Sequence, residues 1–270
     1  MANTIAVYNF KGGVGKTTST LNLGYAWSRS FKVLVIDCDP QCNLTSAFNN
    51  GKGNDDKTIF FYLRNLLHDH DSGSIEPIKI TPYLHLLPGN FQMVGIESNN
   101  QFITFGVSII QKLLYLVKKD YDLVIFDLPT HFGVLVKSFL TNVESVLIPA
   151  IPDSFSIEGV KKLLAYLYTV DRDKPMNILG IFFNMYRQNL IHHRDKYRES
   201  NDEFQDLILS TTVSNSIKVS EASDIGKSIN RFNPENSVAK DFIQLSDELL
   251  AKFNSRFLDH ELIESGILDR

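Results

Sequence analysis

Phe10-Lys11-Gly12-Gly13-Val14-Gly15-Lys16-Thr17-Thr18 is the stretch on which the reading of this chain turns. A short apolar run, Thr4 to Asn9, leads into it and has the character of a buried strand. Beyond the glycines, Leu21, Leu23, Tyr25, Ala26 and Trp27 fit a helix packed on a sheet, and Lys32 to Ile36 gives a second strand ending in Asp37. Glycines between a strand and a helix let the backbone curl around phosphate oxygens, while the loop amides and the helix N-terminus supply positive potential. Lys11, Gly12, Gly13, Val14 and Gly15 would then line a cradle. Lys16 is spaced to reach the β and γ phosphates, Thr17 to place its hydroxyl on Mg2+, and Thr18 to touch the α-phosphate side. The usual pattern opens with glycine at the position held here by Phe10, so the loop is a variant.

Working outward, the polar stretch Asn49 to Lys57 is expected as an exposed loop and Thr58 to Leu67 as a helix. Leu84 to Leu87 is expected as a strand stopped by Pro88-Gly89-Asn90, Val107 to Lys118 as a helix, and Leu123 to Phe126 as a strand closing on Asp127. Strand Val146 to Ile148, helix Ile157 to Tyr168, strand Asn177 to Phe183, a polar helical region Arg187 to Asp206 and a short strand Leu207 to Val213 follow. Pro234 is expected to open a helix running to about Phe253. Short apolar strands alternating with helices predict an α/β fold: an open, mainly parallel twisted sheet of the P-loop NTPase type, flanked by helices on both faces. Residues 1–270 are expected to form one such domain, with 255–270 a C-terminal tail or packing extension.

Composition narrows the function classes. Apolar residues are 43% and charged residues 21% of 270, a mixture that fills a core and excludes wholesale disorder. Twenty-seven basic against 31 acidic residues give a formal charge of -4, so any nucleic-acid contact must be confined to one face. Cys38 and Cys42 alone do not make a disulfide framework. With no basic leader and no apolar stretch near the roughly 18 residues that a membrane span needs, a cytoplasmic location without membrane contact is expected.

Three carboxylates complete the candidate site. Asp37 and Asp39 follow the second strand and Asp127 closes the strand Leu123 to Phe126, and the carboxyl ends of strands are where open α/β sheets bind ligands. An acid ending an apolar strand after a phosphate loop suits a carboxylate that reaches Mg2+ directly or through water.

Lys11 as a second lysine in the loop, together with Asp37-Cys38-Asp39-Pro40-Gln41-Cys42-Asn43, resembles the deviant phosphate loop and first switch of the ParA/MinD ATPase family. Asp127-Leu128-Pro129-Thr130 resembles its second switch, usually D-x-P-P, with Thr130 in place of the second proline. The resemblance covers nearly all of the chain and is nearest to the small partition ATPases. It implies ATP hydrolysis with Mg2+, and a sandwich homodimer in the ATP state in which Lys11 crosses to the neighbouring subunit's phosphates. Lys11, Lys16, Asp37 and Asp39 would be the catalytic set, Asp37 helping to activate the attacking water. Thr17, Asp39 and Asp127 would hold or orient the metal shell. Gly180 to Tyr186 matches the strand whose end approaches adenine. Asn184 is thus a candidate for base recognition, with Met185 a packing contact, although a helix cap would also explain Asn184. The family also implies a ParB-like centromere-binding adaptor, non-specific DNA and hence nucleoid association. Asn215 stands where chromosomal members often carry a DNA-binding arginine, which leaves Lys218, Lys227, Lys161 and Lys162 as candidate DNA contacts or as ordinary solvated lysines. No DNA-reading domain is expected ahead of Thr4, and the tail from His260 is not expected to act as a membrane-targeting helix, for it lacks the basic amphipathic character of one. A positioning ATPase for another cargo, or a nucleotide-binding scaffold with little turnover, are the competing expectations.

Overall fold

The computed structural model describes residues 2–49, 57–68, 74–170 and 177–264. Among the described residues seven strands form one sheet: β1 (Asn3–Val7), β2 (Val33–Asp37), β3 (Ile78–Lys79), β4 (Leu84–Leu87), β5 (Leu123–Asp127), β6 (Ser145–Ala150) and β7 (Asn177–Phe183). Their order is β3-β4-β2-β5-β1-β6-β7, parallel throughout except for β3, which runs antiparallel to β4. The helices are α1 (Lys16–Trp27), α2 (Asn43–Asn49), α3 (Ile59–Leu67), α4 (Asn100–Val117), α5 (Val134–Asn142), α6 (Ser154–Val170), α7 (Ile191–Phe204), α8 (Ile217–Asp224), α9 (Ile229–Phe232) and α10 (Ser237–Glu264).

The period of two along each strand divides the core. Ala6, Tyr8, Val124 and Phe126 face the side covered by α3 to α6, whereas Ile5, Val7, Leu123 and Ile125 face the side covered by α1, α2 and α8 to α10. Strands covered on both faces read as unbroken apolar runs, as Val33 to Ile36 does. α1 is enclosed between the sheet and α10, where the Trp27 indole donates to the Ser246 carbonyl at 3.4 Å. Gly24 lets α1 approach β2, since a methyl group there would lie 2.9 Å from Val35.

Several expected boundaries move, each for a local reason. α4 starts at Asn100 rather than Val107, because the Asn99 side chain accepts from the Phe102 amide at 3.0 Å and opens the helix early. α6 starts at Ser154, with Asp153 accepting from the Ser156 amide. α10 starts at Ser237, three residues after Pro234, and its backbone continues through Glu264 into the expected tail. Leu207 to Val213 is not a strand. Leu209 and Val213 donate to β7 carbonyls, but the Ser210 and Thr211 amides between them are taken by the Glu248 carboxylate at 2.7 and 2.9 Å, which leaves isolated bridges. Most of the expected loop Asn49 to Lys57 lies outside the described residues.

Candidate functional site

Parallel register puts the ends of three strands at one level: Val7 pairs with Asp127, and Asp127 with Asp37. The loops that follow β1, β2, β5, β6 and β7 therefore converge at one edge of the sheet, around the turn from Asn9 to Gly15.

That turn is built for close approach. Gly13 and Gly15 have φ of 74° and 91°, and Gly15 caps the N-terminus of α1. Asn9, buried after β1, donates from its side chain to the Pro149 carbonyl at 2.8 Å and accepts from the Lys11 amide at 3.0 Å, tying the loop to the end of β6. Asn184 grips the other side, its Nδ2 donating to the Val14 carbonyl at 2.8 Å while its Oδ1 accepts from the Met185 amide at 2.9 Å. Met185 sits at a φ of 54°, a left-handed conformation that is uncommon in a side-chain-bearing residue. Asn184 thus braces the phosphate loop from the position expected to meet a base.

Replacing Gly15 with alanine is expected to destabilise the protein by about 2 kcal/mol, combining the left-handed backbone with displacement of a hydrogen-bonded side chain. Its new methyl would lie 2.0 Å from Asn184 Nδ2. Gly12→Ala meets nothing within 4 Å and should stay within about 0.5 kcal/mol of the wild type, urea titration of the two variants beside the wild type being the measurement that checks both.

Lys16 is buried, and its ammonium donates to the carbonyls of Asn9 at 3.3 Å and Lys11 at 3.4 Å and to Thr130 Oγ1 at 3.0 Å. Burial lowers its pKa, against the opposing pull of Asp127 and Asp39. Lys11 turns outward and pairs with Asp153 at 2.6 Å, both side chains 31% exposed.

The carboxylates form an acidic floor. Asp37 is enclosed; its Oδ2 accepts from the Thr45 amide and hydroxyl at 2.8 and 2.7 Å, and its Oδ1 from the Asp39 amide. Burial pushes its pKa up to about 6 in spite of those hydrogen bonds. Asp39 is half-buried and accepts from the Gln41 amide at 2.9 Å. Asp127 Oδ2 accepts from the Thr17 hydroxyl at 2.7 Å, whereas its Oδ1 is buried without a partner. Burial first and Asp37 second raise the Asp127 pKa well above the ordinary carboxylate range. An orphaned carboxylate oxygen next to a second carboxylate and a threonine hydroxyl is a hard oxygen set that suits a divalent cation such as Mg2+. Among the described residues no group of three or more His, Cys, Asp or Glu side chains gathers around a common point as a metal site would, and Cys38 and Cys42 are free thiols.

Of the expected DNA contacts, Lys161 pairs with Glu203 at 2.7 Å, Lys162 with Glu158 at 3.7 Å and Lys218 with Glu221 at 2.6 Å. Lys227 is exposed, as is Asn215. The contribution of Thr130 was invisible in sequence beyond its departure from proline. Asp153 gave no signal except its place just after β6.

A sheet of this order, with a glycine turn after β1 and carboxylates closing β2 and β5, defines a P-loop ATPase of the ParA/MinD type. The AAA domain family matches residues 2–179. The sporulation initiation inhibitor protein Soj of Bacillus subtilis is 31% identical over 262 residues, covering 93% of this chain and 99% of that protein. The chromosome-partitioning ATPase Soj of Treponema pallidum is 28% identical over 259 residues, covering 95% of this chain and 100% of that protein. Among solved structures, a candidate plasmid partition protein of Borrelia burgdorferi B31 bound to AMPPNP superposes with a TM-score of 0.77 at 20% identity, covering 95% of this chain and 100% of that one. The chain belongs to the ParA/Soj family of partition ATPases. Among the described residues no helix is long and apolar enough to cross a membrane.

Proposed function

We propose that this chain hydrolyses ATP with Mg2+, closes as an ATP-dependent sandwich homodimer, and partitions plasmid or chromosomal DNA with a ParB-like adaptor, itself binding DNA non-specifically at the nucleoid. The observation that carries the reading is the convergence of the Gly13–Gly15 turn, Lys16 and the Thr17–Asp127 pair at the carboxyl edge of the sheet. Loop amides and Lys16 would cradle the phosphates; Thr17, Asp39 and Asp127 would hold the metal. Bound there, Mg2+ would neutralise charge on the transferring phosphate. Asp37, braced by Thr45, would orient the attacking water, and Asn184 with Met185 would border the base. Lys11 would leave Asp153 to complete the site of a second copy. Residues 1–270 would act as one ATPase unit.

The carboxylate pairing of Lys161, Lys162 and Lys218, together with Asn215, favours a second reading in which the same ATPase positions a cargo other than DNA.

Turnover and mass of the full chain, measured with ATP and Mg2+ with and without duplex DNA at two salt concentrations, test both. On the first reading, ATP doubles the mass, DNA binds the dimer through paired weak sites, and added salt releases it steeply. ATP-dependent dimers that ignore DNA at low salt would select the second. A monomer with no turnover would sink both.

A further inference from the structure

Thr130, the residue that replaces the second proline of the switch, stands beside the one ammonium that the phosphate loop encloses. Its Oγ1 accepts from Lys16 Nζ at 3.0 Å, and among the described residues its own O–H donates to no protein acceptor. A hydroxyl offers one donor and two lone pairs, so the contact with Lys16 leaves the donor free and polarised toward whatever anion the ammonium attracts.

The segment that carries it is held on both sides. Tyr8 Oη donates to the Thr130 carbonyl at 3.3 Å. The ring of Phe132 packs edge-on against Phe10 and Tyr166, with centroids 4.9 and 4.6 Å apart. Glu97 then accepts from the Val134 and Leu135 amides at 2.8 and 3.3 Å, capping α5 from a distant part of the chain. A donor fixed in this way costs little to orient when a ligand arrives.

Position within the loop says which part of a ligand it meets. The Lys16 ammonium lies at the loop's entrance, against the carbonyls of Asn9 and Lys11, while Asn184 and Met185 border the loop at Val14, near its exit into α1. On the nucleotide reading above, on which this inference rests, the base lies toward the exit and the terminal phosphate at the entrance.

We infer that Thr130 is a positioning residue that tells nucleoside triphosphate from diphosphate: its hydroxyl, anchored on Lys16, donates to a terminal γ-phosphate oxygen and so ties the second switch to the presence of that phosphate. A diphosphate leaves the donor unused. The proline at this place in the family pattern offers no side-chain donor at all, which makes the device a property of this chain.

Equilibrium titration of the full chain with ADP and with AMPPNP, for the wild type, Thr130→Val and Thr130→Ser, decides it. Valine keeps the shape and removes the hydroxyl. It is expected to weaken AMPPNP about tenfold, the worth of a hydrogen bond to a charged group, while ADP stays within about twofold. Serine should restore the wild-type AMPPNP-to-ADP ratio, which a purely steric role would not predict. Equal weakening of both nucleotides by valine, or of neither, overturns the inference while leaving the nucleotide site standing. A wild-type chain that binds neither nucleotide overturns the nucleotide reading and this inference together.

Discussion

Replacing Asp127 with asparagine is expected to lower turnover by about a thousandfold and, in the same protein without ligand, to raise the melting temperature at pH 8 by about 5 °C. The two effects come from one feature. Asp127 Oδ1 is buried with no partner, and Asp37 stands beside it in register at the end of the adjacent strand. Such a carboxylate suits a cation and is a liability without one, because burial penalises its charge and a second carboxylate repels it. Asparagine keeps the acceptor for the Thr17 hydroxyl and removes the charge, so stability rises while the metal position is lost.

The sign of the pH dependence follows from the same groups. Asp37 has a folded pKa of about 6 against an ordinary value of 3.8. The folded state thus holds its proton more tightly than the unfolded chain does. The stability this contributes is full below about pH 4 and is lost as pH rises through 6, amounting to about 3 kcal/mol from this residue. Asp127 shifts in the same direction. Ligand-free protein should therefore melt at a lower temperature at pH 7.5 than at pH 5, with the slope reduced in Asp127→Asn. A wild-type melting temperature that climbs across that window, or a less stable Asp127→Asn protein, would contradict the electrostatic account.

What the sequence revealed, and what it concealed, divides by range of interaction. β1, the glycine turn, β2 and β5 were legible because an apolar run buried on both faces, a glycine at positive φ and an acid closing a strand are local signals. The carboxylates of the site came with them, since the strands that end in Asp37 and Asp127 fix both side chains at one edge. α5 was missed because its own N-cap is Gly133, which offers no side chain, and its cap is Glu97, remote in sequence. α2 was missed for its brevity and polar content, and the interrupted stretch at Ser210 for its dependence on Glu248. The attachments of Lys16 to Thr130 and of Lys11 to Asp153 join loops from different strands, so nothing in the spacing of either residue announces them.

The second large effect concerns Lys11. On the dimer reading it must reach the opposite site, yet in this chain its ammonium rests on Asp153 at 2.6 Å. Lys11→Ala is expected to abolish ATP-dependent dimerisation and to cut turnover about a hundredfold, because a charge aimed at the developing phosphate charge is lost. Asp153→Asn should act in the opposite direction. Asparagine retains the cap, accepting from the Ser156 amide as the carboxylate Oδ1 does at 2.8 Å, and gives up the ion pair. That pair is about a third exposed, so its release frees at most about 1 kcal/mol per subunit after solvent screening. With both subunits contributing, the gain would appear as dimer forming at an ATP-state protein concentration up to about thirtyfold lower, with little change in the ADP state, read by sedimentation or light scattering. A single lysine thus has two carboxylate-rich or phosphate-rich destinations, its own Asp153 and a partner's nucleotide, and the chain's tendency to dimerise depends on their difference. Tighter ATP-dependent dimers from Asp153→Asn and none from Lys11→Ala would fit that competition. Dimers from Lys11→Ala at wild-type strength would remove Lys11 from the interface, and the sandwich with it.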